Sequence, residues 1–304
     1  MLFENDKVRI GPTGVKKDLF FMKGRADKLR KGKRFEIPEY LSGMGLNAYE
    51  FSAGRMANFS DSEIYKKFRV NSKKFNVAIS IHAPYYISLT SESPEIYEKS
   101  IERLAKTYAW AVWLNAKRIV VHPGTYGKSK IKRNLTQMII DAINSAIELS
   151  KDLYPELKEQ FREICLCPET MGKLGQIGST DEIIEICNEV GTNKVRPAID
   201  FGHLYTRNIG KIIGNDLYMP VFEKIERNLG KDIVENLHIH YSKIEYTGRG
   251  EKMHHPNDNS SWGPNIEPLF EIINEQGYRP IIINESPELD PDAKKLMDLW
   301  KKMS

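Results

Sequence analysis

Residues 118–122 read RIVVH, a short apolar run that begins at Arg118 and ends at His122. A strand buried on both faces of a parallel sheet reads as such a run, and a segment of helical period follows it at residues 132–151. The same strand-then-helix unit recurs along the chain. Candidate strands lie at residues 8–11, 48–52, 77–82, 118–122, 164–169, 195–200, 237–240 and 281–285. Eight such units predict an α/β fold, a single (β/α)8 (TIM) barrel.

The sequence signals for the helices between these strands differ in strength. Ser93 and Pro94 are typical of a helix start, and apolar residues from Ile101 to Val112 recur at helical spacing. The other helices are predicted at residues 38–43, 60–71, 132–151, 180–188, 217–228, 266–276 and 292–302. Residues 241–264 are rich in Gly, His and Asn, and we expect them to form a long irregular loop with a functional role.

Length and composition are typical of one globular domain over residues 1–304, because barrels of this size enclose a single core. Hydrophobic residues make up 40% of the chain and charged residues 28%. No apolar run approaches the roughly 20 residues that span a bilayer. The first residues lack the pattern of a secretory signal, and three cysteines are too few for a disulfide framework. We therefore expect a cytoplasmic monomer with no membrane contact.

Basic residues are concentrated between Gly14 and Arg34, although the net charge of the chain is only +4. Nine Lys and Arg residues stand there against Asp18 and Asp27. The segment predicts contacts to an anionic partner, and a solvated loop is the alternative. The candidate contacts are Lys23, Arg25, Lys28 and Arg30.

Six consecutive candidate strands each carry a metal-capable side chain at or near the C-terminal end. Successive members of this set are 40, 47, 31, 38 and 47 residues apart, which is one β-α unit per step. Each alone is more typical of a core histidine or a helix cap, but in a closed barrel all six converge on the mouth where barrel enzymes hold their chemistry. Buried carboxylates and imidazoles are costly unless a cation neutralises them, so the set predicts a cluster of Zn²⁺, Mn²⁺ or Fe²⁺. The six are His82, His122, Glu169, Asp200, His238 and Glu285.

Several motifs in their order along the chain resemble those of endonuclease IV, the metal-dependent apurinic/apyrimidinic (AP) endonucleases of base-excision repair, within the wider xylose-isomerase-like barrels. The resemblance runs roughly from Gly45 to Glu288. It rests on IHAPYYISL (81–89), VVHPG (120–124), CPETMGKLGQIGS (167–179), AIDFGHLY (198–205), LHIHYSKIEYTGRGEKMHH (237–255) and INES (283–286).

The resemblance implies a role for each candidate ligand. His82 and His122 are implied to bind a first metal, and Glu169 to bridge it to a second. The second metal is implied to be held also by Asp200, His238 and Glu285. His203 and His254 are implied ligands of a third metal, so that two or three ions, most typically Zn²⁺, are expected.

One position departs from the family pattern. The family has an Asp two residues before the histidine that corresponds to His254, and this chain has Lys252. Glu251, His255 or Asp258 could replace that ligand, the third site could be weak, or Lys252 itself could supply positive charge. The candidate catalytic residues are therefore Lys252 and Glu169, the implied bridge between two metals. His240 also replaces a smaller polar residue and is either a partner of the metal ligands or an additional ligand.

The resemblance implies hydrolysis of the backbone phosphodiester of double-stranded DNA on the 5′ side of abasic sites. Tyr85 matches an aromatic residue that the family inserts beside the lesion, and rim packing is the alternative for it. Two further functions remain open: a metal-dependent sugar or sugar-phosphate isomerase of the same barrel type, and a metal-bound DNA-binding relative with weakened catalysis.

Overall fold

The structure is a computed structural model that describes residues 5–24, 28–54, 63–127 and 132–304. Arg25 and the first residues of the helix predicted at 60–71 lie outside the described residues. The strands, numbered along the chain, are β1 (Arg9–Pro12), β2 (Phe21–Lys23), β3 (Leu29–Lys31), β4 (Ala48–Ser52), β5 (Ala78–His82), β6 (Ala116–Val121), β7 (Gly124–Thr125), β8 (Cys165–Pro168), β9 (Gln176–Ile177), β10 (Ala198–Asp200), β11 (His238–Tyr241), β12 (Lys243–Thr247), β13 (Gly250–His255) and β14 (Ile281–Asn284).

The predicted α/β barrel is confirmed. Its eight parallel strands are β1, β4, β5, β6, β8, β10, β11 and β14, and each overlaps one candidate strand of the sequence. Parallel bridges from Leu166 to Val195 and from Glu169 to Ala198 join β8 to β10. Between β1 and β4, the Asn47 amide donates to the Ile10 carbonyl at 3.2 Å. A Cβ at Gly11 would lie 1.7 Å from the Ala48 carbonyl oxygen, so only glycine allows these strands to approach.

Helices cover the outside of the barrel, as the alternating pattern requires. They are α1 (Ile37–Gly43), α2 (Glu63–Lys74), α3 (Pro94–Leu114), α4 (Lys132–Leu153), α5 (Lys158–Phe161), α6 (Thr180–Val190), α7 (Phe201–Arg207), α8 (Asn215–Leu229), α9 (Lys231–Glu235), α10 (Glu267–Gln276) and α11 (Asp290–Met303), with short 3-10 helices at Arg34–Glu36 and Pro155–Leu157. Leu104, Ala105 and Tyr108 of α3 are buried against the sheet side, as the helical spacing predicted. Among the helices of the described ranges, none combines the length and apolar character needed to cross a membrane.

Alternate strand residues face the inside of the barrel, where the apolar filling is thin. Val120, Cys165, Cys167 and Ala198 form a small interior cluster, while most large apolar side chains join the core between strands and helices. Cys165 and Cys167 thus act as small buried hydrophobes. The interior positions nearer the C-terminal mouth are polar, and they form the site.

The long irregular loop predicted at residues 241–264 is wrong in part, because it contains the antiparallel hairpin β12–β13. Gly248 and Arg249 connect the two strands, and the strands alternate polar and apolar residues only weakly, which obscured them in the sequence. The basic segment likewise contains the short hairpin β2–β3. Both hairpins follow barrel strands and leave the barrel at its C-terminal end.

Candidate metal centre

A cleft of about 370 Å³ opens at the C-terminal ends of the barrel strands. Parallel strands place their last residues at one mouth, so side chains from far apart in sequence meet there. Those that line the cleft include Glu50, His82, Tyr85, His122, Lys173, His203, Glu251, His254 and Glu285. Among the described residues, four groups of His, Glu and Asp side chains have possible ligand atoms that lie within 4.8 Å of one another. Three of these groups surround the cleft, and the fourth, Glu50 with His238 and His240, lies deeper in the barrel.

The first group contains His82, His122 and Glu169. Oε2 of Glu169 lies 3.4 Å from Nε2 of His82 and 3.1 Å from Nε2 of His122. Nδ1 of His82 donates to the Ala83 carbonyl at 2.9 Å, which leaves Nε2 facing the carboxylate. Histidines that bind a metal through one ring nitrogen usually donate a hydrogen bond from the other nitrogen, often to a backbone carbonyl.

The second group contains Glu169, Asp200, His240 and Glu285. Nδ1 of His240 lies 3.0 Å from Oε1 of Glu169 and 3.4 Å from Oε1 of Glu285. Oδ1 of Asp200 accepts a hydrogen bond of 2.7 Å from the His203 amide and so caps α7, while Oδ2 remains directed at the group. Glu169 therefore belongs to both the first and the second group.

The structure places His240, rather than His238, in the second group. The two side chains share one face of β11, and His238 lies one step deeper in the barrel, where its Nε2 contacts Oε2 of Glu50 at 3.0 Å. Sequence reasoning missed Glu50. The available signal was a single carboxylate in the otherwise apolar start of the second candidate strand, Ala48 to Phe51.

The third group contains His203, Glu251 and His254. Nε2 of His203 lies 3.5 Å from Oε2 of Glu251, and Nε2 of His254 lies 3.8 Å from Oε1. Nδ1 of His203 donates to the Thr170 carbonyl at 2.9 Å, which orients the ring. Gly172 leaves room for Glu251, because a Cβ at position 172 would lie only 2.8 Å from the Cβ of Glu251. Of the three residues that the sequence offered as the replacement ligand, Glu251 is thus the one that joins His203 and His254.

Lys252 is turned away from this group. Glu245 pairs with Met253 and Tyr246 with Glu251, so Lys252 is an extra residue in a β-bulge. Its side chain is 54% exposed and forms an ion pair with Glu245. His255 and Asp258 are also engaged elsewhere, since His255 contacts Glu245 at 3.2 Å and Asp258 contacts Lys295 at 3.1 Å. Lys252 therefore does not bring its positive charge to the metal groups, and the prediction of a catalytic role for it is wrong.

The electrostatics of the centre favour a bound cation. Burial lowers the pKa of His82, but contact with Glu169 outweighs burial and raises the pKa to about 9. Burial likewise lowers the pKa of His203, and the charges of Asp200, Glu169 and Glu251 raise it to about 9. Oε2 of Glu169 and Oδ2 of Asp200 are buried and accept no hydrogen bond from the described residues. A site that is rich in carboxylates, and in which two buried carboxylate oxygens accept no hydrogen bond from the described residues, is suited to divalent metal ions.

The predicted DNA contacts occupy two regions. Tyr85 lies at the rim of the cleft with 58% of its surface exposed, in edge contact with Tyr86. Lys23 and Lys28 are exposed in and beside the β2–β3 hairpin. The guanidinium of Arg30 is paired with Glu36 through both nitrogens, so it holds the hairpin to the body of the protein.

Comparison with known proteins agrees with the barrel fold. A family model described as xylose isomerase-like TIM barrel matches residues 38–303. An uncharacterized protein of Methanocaldococcus jannaschii is 34% identical over 230 residues, which cover 75% of this chain and 78% of that protein. A probable endonuclease 4 of Shouchella clausii is 26% identical over 221 residues, which cover 71% of this chain and 70% of that protein.

Solved structures show the same fold. Endonuclease IV from Thermus thermophilus has a TM-score of 0.66 at 20% identity over 89% of this chain and 94% of its own. D-Psicose 3-epimerase from Clostridium cellulolyticum has a TM-score of 0.61 at 13% identity over 90% and 94%. Identities this low establish the fold alone. The sequence resemblance is confirmed, and the chain belongs to the xylose isomerase-like TIM barrel family, with relatives named endonuclease 4.

Proposed function

We propose that this protein is a metal-dependent phosphodiesterase that cuts double-stranded DNA on the 5′ side of abasic sites. The observation that carries the proposal is the connected donor set, in which Glu169 is common to two groups and a third group adjoins them. A carboxylate shared between two groups suits a pair of neighbouring cations, and paired cations are typical of enzymes that cleave phosphodiesters.

The donor set indicates which residues hold the ions. His82, His122 and Glu169 would hold one, with Glu169, Asp200, His240 and Glu285 around a second and His203, Glu251 and His254 around a third. Imidazole and carboxylate without thiolate suit Zn²⁺, and Mn²⁺ or Fe²⁺ accept the same donors. When bound, such ions supply Lewis-acid polarisation of a phosphate group and activation of water.

The chain's own residues determine how a substrate approaches. His122 is the most open member of the first group, with 30% of its side chain exposed, and it faces the cleft. Asp200 and His240 are fully buried, which limits substrate access to the side of the first and third groups. Lys173 lines the same cleft and would contact a backbone phosphate, while Tyr85 at the rim would contact the exposed base stack beside an abasic sugar.

The decisive experiment uses a duplex that contains one tetrahydrofuran abasic analogue. Zinc-loaded protein should nick the strand on the 5′ side of the analogue, and a chelator should abolish the nicking. Glu169→Gln should reduce the rate by at least about 100-fold, because even the partners of metal ligands contribute about 10- to 100-fold. Glu163→Gln is the matched control, since this carboxylate forms a half-exposed surface ion pair with Lys117.

Other outcomes would separate the competing functions. Tight binding of the abasic duplex without nicking would indicate a DNA-binding relative with weakened catalysis. Failure to bind the duplex, together with interconversion of aldoses and ketoses or epimerisation of ketoses, would overturn the proposal in favour of a sugar isomerase or epimerase.

A further inference from the structure

Below the metal groups, three buried side chains form a second polar layer inside the barrel: Glu50 of β4, His238 and His240 of β11. Nε2 of His240 lies 3.0 Å from Oε1 of Glu50, and Nε2 of His238 lies 3.0 Å from Oε2. A buried carboxylate is costly unless it accepts hydrogen bonds or meets a positive charge. The two histidines and the carboxylate of Glu50 therefore depend on one another in this layer.

The orientation of His240 differs from that of the other histidines of the centre. His82, His122, His203 and His254 all direct Nε2 at a carboxylate of the metal groups. His240 instead directs Nδ1 at Glu169, and its Nε2 points down at Glu50. Backbone carbonyls accept from the second nitrogen of His82 and His203, whereas His240 has Glu50 in that position.

Glu50 is itself held from two sides. The Ser80 hydroxyl of β5 donates to its Oε2 at 2.8 Å, and His238 contacts the same oxygen. A carboxylate oxygen can only accept, so Nε2 of His238 is the donor in its 3.0 Å contact with Oε2 of Glu50. Oε1 of Glu50 accepts no hydrogen bond from the described residues and is the remaining acceptor that faces His240. Nε2 of His240 lies 3.0 Å from this oxygen and 3.2 Å from Nε2 of His238.

We propose that Glu50 is a positioning residue for the metal centre: it accepts the Nε2–H of His240 and so keeps the Nδ1 lone pair directed at the group formed by Glu169, Asp200 and Glu285. Ser80 and His238 hold Glu50 in place. This inference rests on the metal cluster of the proposed function. A carboxylate behind a metal-ligating histidine fixes its tautomer and ring orientation, and such partners typically contribute about 10- to 100-fold to metal affinity.

The test measures zinc rather than DNA cleavage. Zinc-loaded wild type, Glu50→Gln and His238→Gln are analysed for ions per chain, and the release of each ion to a coloured chelator is timed. Glu50→Gln should bind as many ions at saturating zinc but release one of them about 10- to 100-fold faster. His238→Gln should show a smaller effect, because Glu50 still contacts His240. Glu182→Gln is the control, since that carboxylate accepts from the Ser179 amide at the start of α6, outside the metal groups.

Two results would overturn the inference. One is equal zinc release from wild type and Glu50→Gln. The other is the loss of one whole ion from both Glu50→Gln and His238→Gln at saturating zinc, because the layer would then bind an ion of its own. A wild type that binds zinc but leaves abasic DNA intact contradicts the proposed function alone.

A measurement on the wild type covers the case in which Glu50→Gln does not fold. In ¹⁵N-histidine NMR spectra of the zinc-loaded protein, the His240 signals are assigned by their absence in His240→Gln. We expect the proton on Nε2 and the zinc on Nδ1. A proton on Nδ1 of His240 overturns the inference.

Discussion

Glu251 and His254 stand three residues apart in β13, and yet both direct their side chains to the same group. In a regular strand, residues three apart lie on opposite faces, because side chains alternate with a period of two. Lys252 is the extra residue of the β-bulge and restores the shared face. The departure from the family pattern at Lys252 is therefore a change of backbone spacing that leaves a carboxylate available.

Deletion of Lys252 should leave the third group intact. Without the extra residue, Glu251 pairs with Tyr246 and Met253 with Glu245 in a regular register, and Glu251 and His254 stand two apart on one face of the strand. We therefore expect the deletion variant and Lys252→Ala to bind as many zinc ions per chain as the wild type, measured by elemental analysis. Glu251→Gln removes a carboxylate of the group and should lose one ion. Loss of one ion from the deletion variant would show that the bulge itself is needed, and not only a shared face for Glu251 and His254.

The barrel and most of the candidate site could be predicted from the sequence because the signals are local. Buried parallel strands read as apolar runs, and the barrel brings their last residues together without further information. His82, His122, Glu169, Asp200 and Glu285 therefore fall into the two connected groups.

Depth within the barrel and backbone irregularity could not be predicted in this way. His238 and His240 lie on the same face of β11, so the alternation of side chains cannot tell which of them reaches the mouth. Glu50 lies 188 residues before His238, and nothing near it in sequence indicates its partners. The bulge at Lys252 depends on pairing with β12, which sequence spacing alone does not show.

The lysines beside the β2–β3 hairpin should contribute phosphate contacts. Replacing both Lys23 and Lys28 by Ala should weaken binding of the abasic duplex and reduce the slope of log affinity against log salt by about 2, since each phosphate contact contributes about 0.9. Fluorescence anisotropy at several salt concentrations measures this slope. Arg30→Ala is the comparison: because Arg30 pairs with the buried Glu36, it should lower thermal stability and leave the slope nearly unchanged. An unchanged slope in the lysine variant would argue against DNA contact by this segment.

Tyr85 should affect DNA affinity and not the metal centre. Its ring is largely exposed at the rim of the cleft, so replacement by Ala removes little buried surface. Stacking of an aromatic side chain on a base contributes about 1–3 kcal/mol, which corresponds to a loss of about 5- to 150-fold in affinity for the abasic duplex. Tyr85→Phe keeps the ring and should bind as the wild type does. If Tyr85→Ala also binds normally, the residue only packs at the rim.

Asp292 should contribute to stability in a pH-dependent way, because it ties α11 to the segment after the β12–β13 hairpin. Its Oδ2 accepts from the Asn257 amide at 2.7 Å and from the Ser286 hydroxyl at 2.5 Å, and its Oδ1 contacts Lys295 at 2.8 Å. Burial raises the pKa of Asp292, but these hydrogen bonds and the lysine outweigh burial and lower it below the ordinary value.

The sign of the effect follows from that lowered pKa. The stabilisation is present above the pKa of the unfolded chain, about 3.9, and is lost as the pH falls through the lower pKa of the folded state. Asp292→Asn should therefore reduce the free energy of unfolding at pH 7 by about 1.5–3 kcal/mol, the usual contribution of a hydrogen bond to a charged group. Urea unfolding at pH 7 and at pH 3 should show a smaller difference between variant and wild type at the lower pH. The same difference at both pH values would mean that the variant acts through packing and not through the carboxylate charge.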